Sequence, residues 1–122
     1  MRRTCTLKIA IRPAPRPKVA RRGGTYYPKP YREQQAQLRA AFQQCGFQDL
    51  AGQLVEACMT VRKPVPPTSR RYGDIDNLAK AVLDALPLDD SHIVRLSIRL
   101  EQGEPCLRVV LSPAHTPRER GE

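Results

Sequence analysis

Apolar residues recur along this chain with two different periods, and the places where each period holds predict its elements. From Thr4 to Arg12 the odd positions Cys5, Leu7, Ile9 and Ile11 are apolar and the even ones mostly polar, the alternation of a half-buried strand. Between Tyr31 and Cys45 the period changes. Leu38, Ala41, Phe42 and Cys45 fall at i, i+3, i+4 and i+7, an amphipathic helix, and Gly46 stands where a left-handed C-terminal residue is wanted. Gln53 to Lys63 alternates again through Val55, Ala57, Met59 and Val61. Ile75, Leu78, Val82, Ala85 and Leu86 then mark a second helical stripe, which Pro87 should terminate. His92 to Glu101 alternates through Val94, Leu96, Ile98 and Leu100. After a short turn at Gln102-Gly103-Glu104, Leu107, Val109 and Leu111 give a last strand, expected to pair with its predecessor as a hairpin. The order strand, helix, strand, helix, strand, strand predicts a small single α+β domain with a mixed, largely antiparallel sheet and both helices packed on one face.

The interruptions are as informative as the periods. Residues 13–30 carry five of the twelve prolines, adjacent Gly23-Gly24 and interspersed cations, so this stretch cannot enter a sheet interior and reads as a long irregular basic loop. Loops of that length in small domains are usually functional or disordered. Arg16, Lys18, Arg21 and Arg22, interleaved with Tyr26, Tyr27 and Tyr31, suit an arm that grips a nucleic-acid backbone, although the tyrosines equally suit packing against the sheet. A second proline-rich connector, 64–73, contributes Arg70 and Arg71. Residues 1–112 thus form the domain, and 113–122 are expected to be a flexible polar tail.

Length and charge narrow the class. With 122 residues the chain makes one domain, and no apolar run approaches the roughly 18–20 residues that cross a bilayer. Met1-Arg2-Arg3 leads directly into alternation rather than into a secretory signal, so a cytoplasmic, nucleoid-associated protein without membrane contact is expected. Cys5, Cys45, Cys58 and Cys106 lack the close spacing of thiolate zinc sites and read as small buried hydrophobes in a reducing compartment. The net charge is +9, and the two signs are segregated. Residues 1–32 hold ten basic residues and no acid, whereas five of the twelve acids lie between Asp74 and Asp90. A protein that only coats a polyanion has little reason to concentrate carboxylates. One that cuts a polyanion needs a cationic cradle and an anionic metal pocket together. The competing reading is a basic surface kept for solubility or for RNA contacts.

Asp74 and Asp76 stand two apart where an extended lead-in becomes a helix, which points both carboxylates to one side while Ile75 turns inward. Lys80, four residues after Asp76, lies one turn along the same face. Asp89 and Asp90 follow the helix, and a return along the sheet is expected to bring one of them beside the first two. Oxygen ligands without histidine or thiolate select a hard cation such as Mg²⁺, with Mn²⁺ as a substitute, and such an ion binds phosphate oxygens. The alternative is capping: an aspartate at a helix N-terminus stabilises exposed N–H groups by about 0.5–2 kcal/mol without any catalytic role.

The run Asp74-Ile75-Asp76-Asn77-Leu78-Ala79-Lys80-Ala81-Val82-Leu83-Asp84-Ala85-Leu86, followed by Asp89-Asp90-Ser91-His92-Ile93-Val94, resembles the signature of the RusA-type Holliday-junction resolvases. The resemblance implies a Mg²⁺-dependent, structure-specific endodeoxyribonuclease that resolves four-way DNA junctions in recombination and repair by paired symmetric nicks leaving 5′-phosphate ends. It implies Asp74, Asp76 and Asp90 as metal ligands, Lys80 as a catalytic partner, and a twofold homodimer. Arg16, Lys18, Arg21, Arg22, Arg70 and Arg71 are then the expected backbone contacts. One departure stands out: only Pro87 and Leu88 separate the Asp-Ala-Leu and Asp-Asp elements, where the family usually has several more residues. Two other readings remain: a non-catalytic DNA-binding protein, or a metal nuclease acting on other branched DNA.

Overall fold

The computed structural model describes residues 1–16 and 18–114, with the side chain of Lys18 excepted. Its elements in chain order are β1 (Arg3–Leu7), β2 (Lys18–Val19), β3 (Thr25–Tyr26), α1 (Lys29–Gln44), β4 (Val55–Lys63), α2 (Ile75–Ala85), β5 (Ile93–Gln102) and β6 (Cys106–Pro113). Short 3-10 turns at Phe47–Leu50 and Asp90–His92 complete the described chain. The α+β reading holds, with two helices on one face of a four-stranded mixed sheet of order β1-β6-β4-β5. Of the tail expected at 113–122, Pro113 closes β6 opposite Val55 and Ala114 N donates to Leu54 O at 2.8 Å, so the ladder extends past the expected boundary, and from residue 115 onward the stretch lies outside the described residues.

The alternating strands supply one wall of the core. Val55, Ala57, Met59 and Val61 of β4, Leu107, Val109 and Leu111 of β6, and Cys5 of β1 are all buried on the helix side. Leu38 and Phe42 of α1 and Leu78, Val82 and Ala85 of α2 cover them. The other face carries Thr4, Thr6, Cys58, Thr60, Arg62, Arg95, Ser97, Arg99, Arg108 and Ser112, and no element among the described residues lies over it.

Four expectations are revised. β1 ends at Leu7 rather than Arg12, because its partner β6 begins at Cys106 and the ladder closes at the Leu7–Leu107 pair. Ile11 still reaches the core, fully buried, from a non-strand segment. β5 and β6 do not form a hairpin. β5 runs parallel to β4 and β6 antiparallel to it, one on each side, so the 103–105 turn steps over the end of β4. Gly103 permits that step: its N–H bonds Lys63 O at 2.8 Å, and a Cβ there would come within 2.6 Å of the Arg62 side chain. Alternation reports which face a strand buries, not which strand lies beside it. The 13–30 stretch is not wholly irregular, because β2 and β3 pair as a small antiparallel ribbon apart from the main sheet. Finally, Cys5 and Cys45 form a disulfide, Cα to Cα 5.6 Å, where isolated thiols were expected. α1 packs over β1, so its C-cap residue Cys45 meets a strand residue 40 positions away in sequence. Cys58 and Cys106 are free.

Candidate active site

The segment that leads into α2 is held from three sides. The Tyr72 ring is fully buried, and its hydroxyl lies 2.6 Å from Val61 O and 2.7 Å from Glu101 O while accepting from Glu101 N at 3.0 Å. Tyr72 therefore ties the chain to the C-terminal ends of β4 and β5. The Lys63 ammonium, also buried, donates to Tyr72 O at 2.6 Å and stands 5.3 Å from the ring centroid. Burial, and then the nearby Arg12 charge, push the Lys63 pKa down. Gly73 has φ +97°, and a Cβ there would sit 2.9 Å from Pro13. Ala14 N donates to Asn77 O at 2.9 Å, so the proline-rich strand of chain runs against the first turn of α2.

On this base Asp74 occupies the N-cap position of α2 with extended backbone, yet its side chain makes no capping hydrogen bond. Asp76 lies in the first turn, and its Oδ1 accepts only from the adjacent Asn77 N, at 3.0 Å. Both carboxylates are exposed, and neither forms an ion pair among the described residues. The capping alternative is therefore not what Asp74 does. Two acidic side chains two positions apart at the positive end of a helix, with three of their four oxygens free of hydrogen bonds among the described residues, are suited to hold a hard cation that keeps several waters. Lys80 is exposed one turn further along α2.

The second acidic pair sits elsewhere. Asp89 caps the 3-10 turn before β5, accepting from Ser91 N at 3.0 Å and Ser91 Oγ at 2.8 Å, and these two bonds hold its carboxyl below the usual range. Asp90 is exposed and has no such bond, which separates the two residues that the sequence left ambiguous. Asp90 does not, however, join Asp74 and Asp76 within the chain. α2 starts over the C-terminal ends of β4 and β5 and runs back for 11 residues, about 16 Å, whereas Asp90 precedes Ile93, which pairs with Val55 at the opposite end of the sheet. Among the described residues no group of three acidic, histidine or cysteine side chains is placed to hold a metal ion. The two-residue Pro87-Leu88 link leaves the chain no length to double back along α2.

Arg70 and Arg71 are exposed in the turn just before Asp74, and Arg16 is exposed beyond Ala14. Arg21 and Arg22 are exposed at the tip of the β2–β3 ribbon. The Lys18 side chain lies outside the described residues. Two residues near the site were not singled out in the sequence. Lys63 read as a strand-end cation, and only its parity with Val55 to Val61 hinted at an inward direction. Arg12 is brought beside the start of α2 by the Pro13–Gly73 contact, which no local pattern announces.

No helix among the described residues is long and apolar enough to cross a membrane. No curated protein matches the chain. Among solved structures it is similar to CetZ from Methanosaeta thermophila strain DSM 6194, at 21% identity and TM-score 0.32. That match covers 53% of this chain and 17% of the other, and a likeness of this degree carries no argument about fold or function. The family model described as Endodeoxyribonuclease RusA matches residues 9–112, which takes in the strand-to-helix carboxylates, the Asp89-Asp90 element and the whole four-stranded sheet beyond β1. A match over that span, meeting a fold of the expected class and an uncapped Asp-x-Asp pair at the head of α2, establishes that the chain belongs to the RusA endodeoxyribonuclease family.

Proposed function

We propose that this protein is a Mg²⁺-dependent nuclease that resolves four-way DNA junctions by paired nicks, acting as a twofold homodimer on DNA in the cytoplasm. The observation that carries the reading is the pair Asp74 and Asp76, exposed at the head of α2 and in no ion pair among the described residues, with Asp74 making no capping bond and Asp76 engaging Oδ1 alone, with Asn77 N. Those two carboxylates would hold the ion. Asp90 lies at the far end of the sheet from them in its own chain, so it reaches the same ion only from a second copy, as Asp90 of the partner subunit. Two such sites per dimer match the two nicks that a symmetric junction requires.

When bound, the divalent ion supplies positive charge against the phosphate oxygens and makes water a stronger nucleophile. Lys80, one turn along the helix, offsets the negative charge that builds on the phosphoryl oxygens and the leaving 3′ oxygen. Arg70 and Arg71, four and three residues before Asp74, hold the flanking phosphates and fix the scissile bond against the carboxylates. Arg16, Lys18, Arg21 and Arg22 extend that grip along the arms. The products are 5′-phosphate and 3′-hydroxyl ends.

The test is a cleavage assay on four-way junctions, flaps and plain duplex with Mg²⁺ or Mn²⁺. Asp76→Asn is expected to lower cutting by about 10²-fold or more while binding in metal-free buffer is kept or improved, because a negative charge near phosphate is removed. Wild type that binds junctions but never cuts with either ion would show a DNA-binding module instead. Equal cutting of flaps and junctions would show a nuclease of broader branched substrates.

A further inference from the structure

β5 is an edge strand of ten residues, paired on one side with β4 and, among the described residues, with nothing on the other. Its sequence, Ile-Val-Arg-Leu-Ser-Ile-Arg-Leu-Glu-Gln, contains neither of the residues that most often protect an edge, proline and lysine. The extra residue against Val55–Glu56 lies at its start, so the ladder from Arg95 to Gln102 is regular. Val94 is 54% and Leu96 42% exposed, an apolar pair beside an unsatisfied row of backbone N–H and C=O groups. The opposite edge of the sheet, β1, has only five residues.

We infer that β5 pairs antiparallel with β5 of a second copy, joining the two sheets into one of eight strands. This rests on the homodimer reading above and says which surface makes the dimer. A twofold axis perpendicular to the sheet keeps each face on its own side, so a residue must lie opposite one of the same parity in the partner. Charge then selects among the allowed registers. A register centred on Ser97 would set Arg95 opposite the partner's Arg99, and one centred on Arg99 would oppose that residue to itself; like charges directly opposite destabilise a ladder. Centring on Ile98 sets Arg95 opposite the partner's Glu101 and Leu96 opposite the partner's Leu100, each twice. A register centred on Leu100 also sets Arg99 opposite the partner's Glu101 but pairs only residues 98–102, whereas centring on Ile98 pairs 94–102, so overlap and charge together select the Ile98 register. A second copy of this chain fits it better than a DNA backbone, to which Val94 and Leu96 offer nothing.

In that register Ser97 faces the partner's Arg99, with Cα atoms about 4.5–5.5 Å apart, within disulfide reach. The experiment mixes Ser97→Cys and Arg99→Cys proteins, each in a Cys58→Ser, Cys106→Ser background, under mild oxidation. Sedimentation equilibrium then compares wild type with the double variant Val94→Lys, Leu96→Lys, whose changes lie on exposed positions. The expected result is a disulfide-linked dimer from the mixture but not from either protein alone, together with a dimer dissociation constant raised tenfold or more in the lysine variant while its melting curve is kept. If wild type is dimeric but the mixture does not cross-link and the lysine variant dimerises normally, the β5 seam is wrong and the homodimer reading stands. If wild type is monomeric while it resolves junctions, the homodimer reading falls and the seam with it.

Discussion

Replacing Tyr72 by phenylalanine removes one oxygen from a fully buried position and leaves the ring in place. In the native chain that oxygen donates to one of two carbonyls, Val61 O at 2.6 Å or Glu101 O at 2.7 Å, and accepts from Glu101 N at 3.0 Å. Phenylalanine leaves that N–H and one carbonyl without a partner where water has no access. Each loss costs about 1 kcal/mol, and the unsatisfied donor pushes the total toward about 2 kcal/mol. For 122 residues at about 2.1 cal/mol/K each, the unfolding entropy is about 0.26 kcal/mol/K, so Tm should fall by about 8 °C. Far-UV circular dichroism melts, with urea unfolding as a second measure, provide the assay. The buried Lys63 ammonium would still hold Tyr72 O from below, so the fold should persist and the loss should be of stability alone. A fall in Tm under about 2 °C would refute the claim that this hydroxyl ties the lead-in of α2 to the ends of β4 and β5.

Other consequences follow from the same contacts. Gly73→Ala should destabilise by about 1 kcal/mol or more, because the position needs φ +97° and a Cβ would press Pro13 at 2.9 Å, and it should raise the Mn²⁺ concentration for half-maximal cutting by moving Asp74; a melt and a metal titration read the two effects. Arg70→Ala with Arg71→Ala should weaken junction binding at all sequences and lower the slope of log affinity against log salt by about 2, measured by fluorescence anisotropy between 50 and 200 mM salt. Tyr31 is buried with its hydroxyl unpartnered among the described residues, and burial, then the charge of Asp84, push its pKa from 10.0 to about 12. The unfolded chain therefore ionises first, and the contribution of Tyr31 to stability is full below pH 10 and lost as pH rises toward 12. Urea midpoints at pH 9.5 and 11.5 should show that decline, and Tyr31→Phe should reduce it while being neutral or stabilising at pH 7.

What the sequence made legible follows from what periodicity encodes. Val55, Ala57, Met59 and Val61 announced β4, and Leu78, Val82 and Ala85 announced α2, because the side that a residue faces is a local property of the backbone. The head of α2 was legible only in part: the helix begins where Asp74 and Asp76 were expected to flank its start, but Ile75, expected to turn inward between them, is 47% exposed, because the first residue of a helix standing over the strand ends has no core beside it. The partner of β5 was not, because a three-residue turn serves a hairpin or a step across β4 equally well, and only the fit of Gly103 over Arg62 decides. The Cys5–Cys45 pairing was hidden by 40 residues of separation. The place of Asp90 within the chain was not legible because a return along the sheet was expected to bring the acids together, whereas the short Pro87-Leu88 link fixes Asp90 at the far end of α2 from Asp74.

The central claim is that Asp74 and Asp76 of one chain share an ion with Asp90 of the other, and mixed dimers test it directly. Asp76→Asn and Asp90→Asn proteins should each cut about 10²-fold or more slowly than wild type when alone. Refolded together, they form heterodimers in which one site has lost both contributions and the other has all three native carboxylates, so single-strand nicking of a four-way junction should return, near half the per-dimer wild-type rate for that species. If every site is built within one chain, each subunit of the mixture carries a damaged site. Nicking would then stay at the level of the separate variants, and the shared-ion account would be wrong.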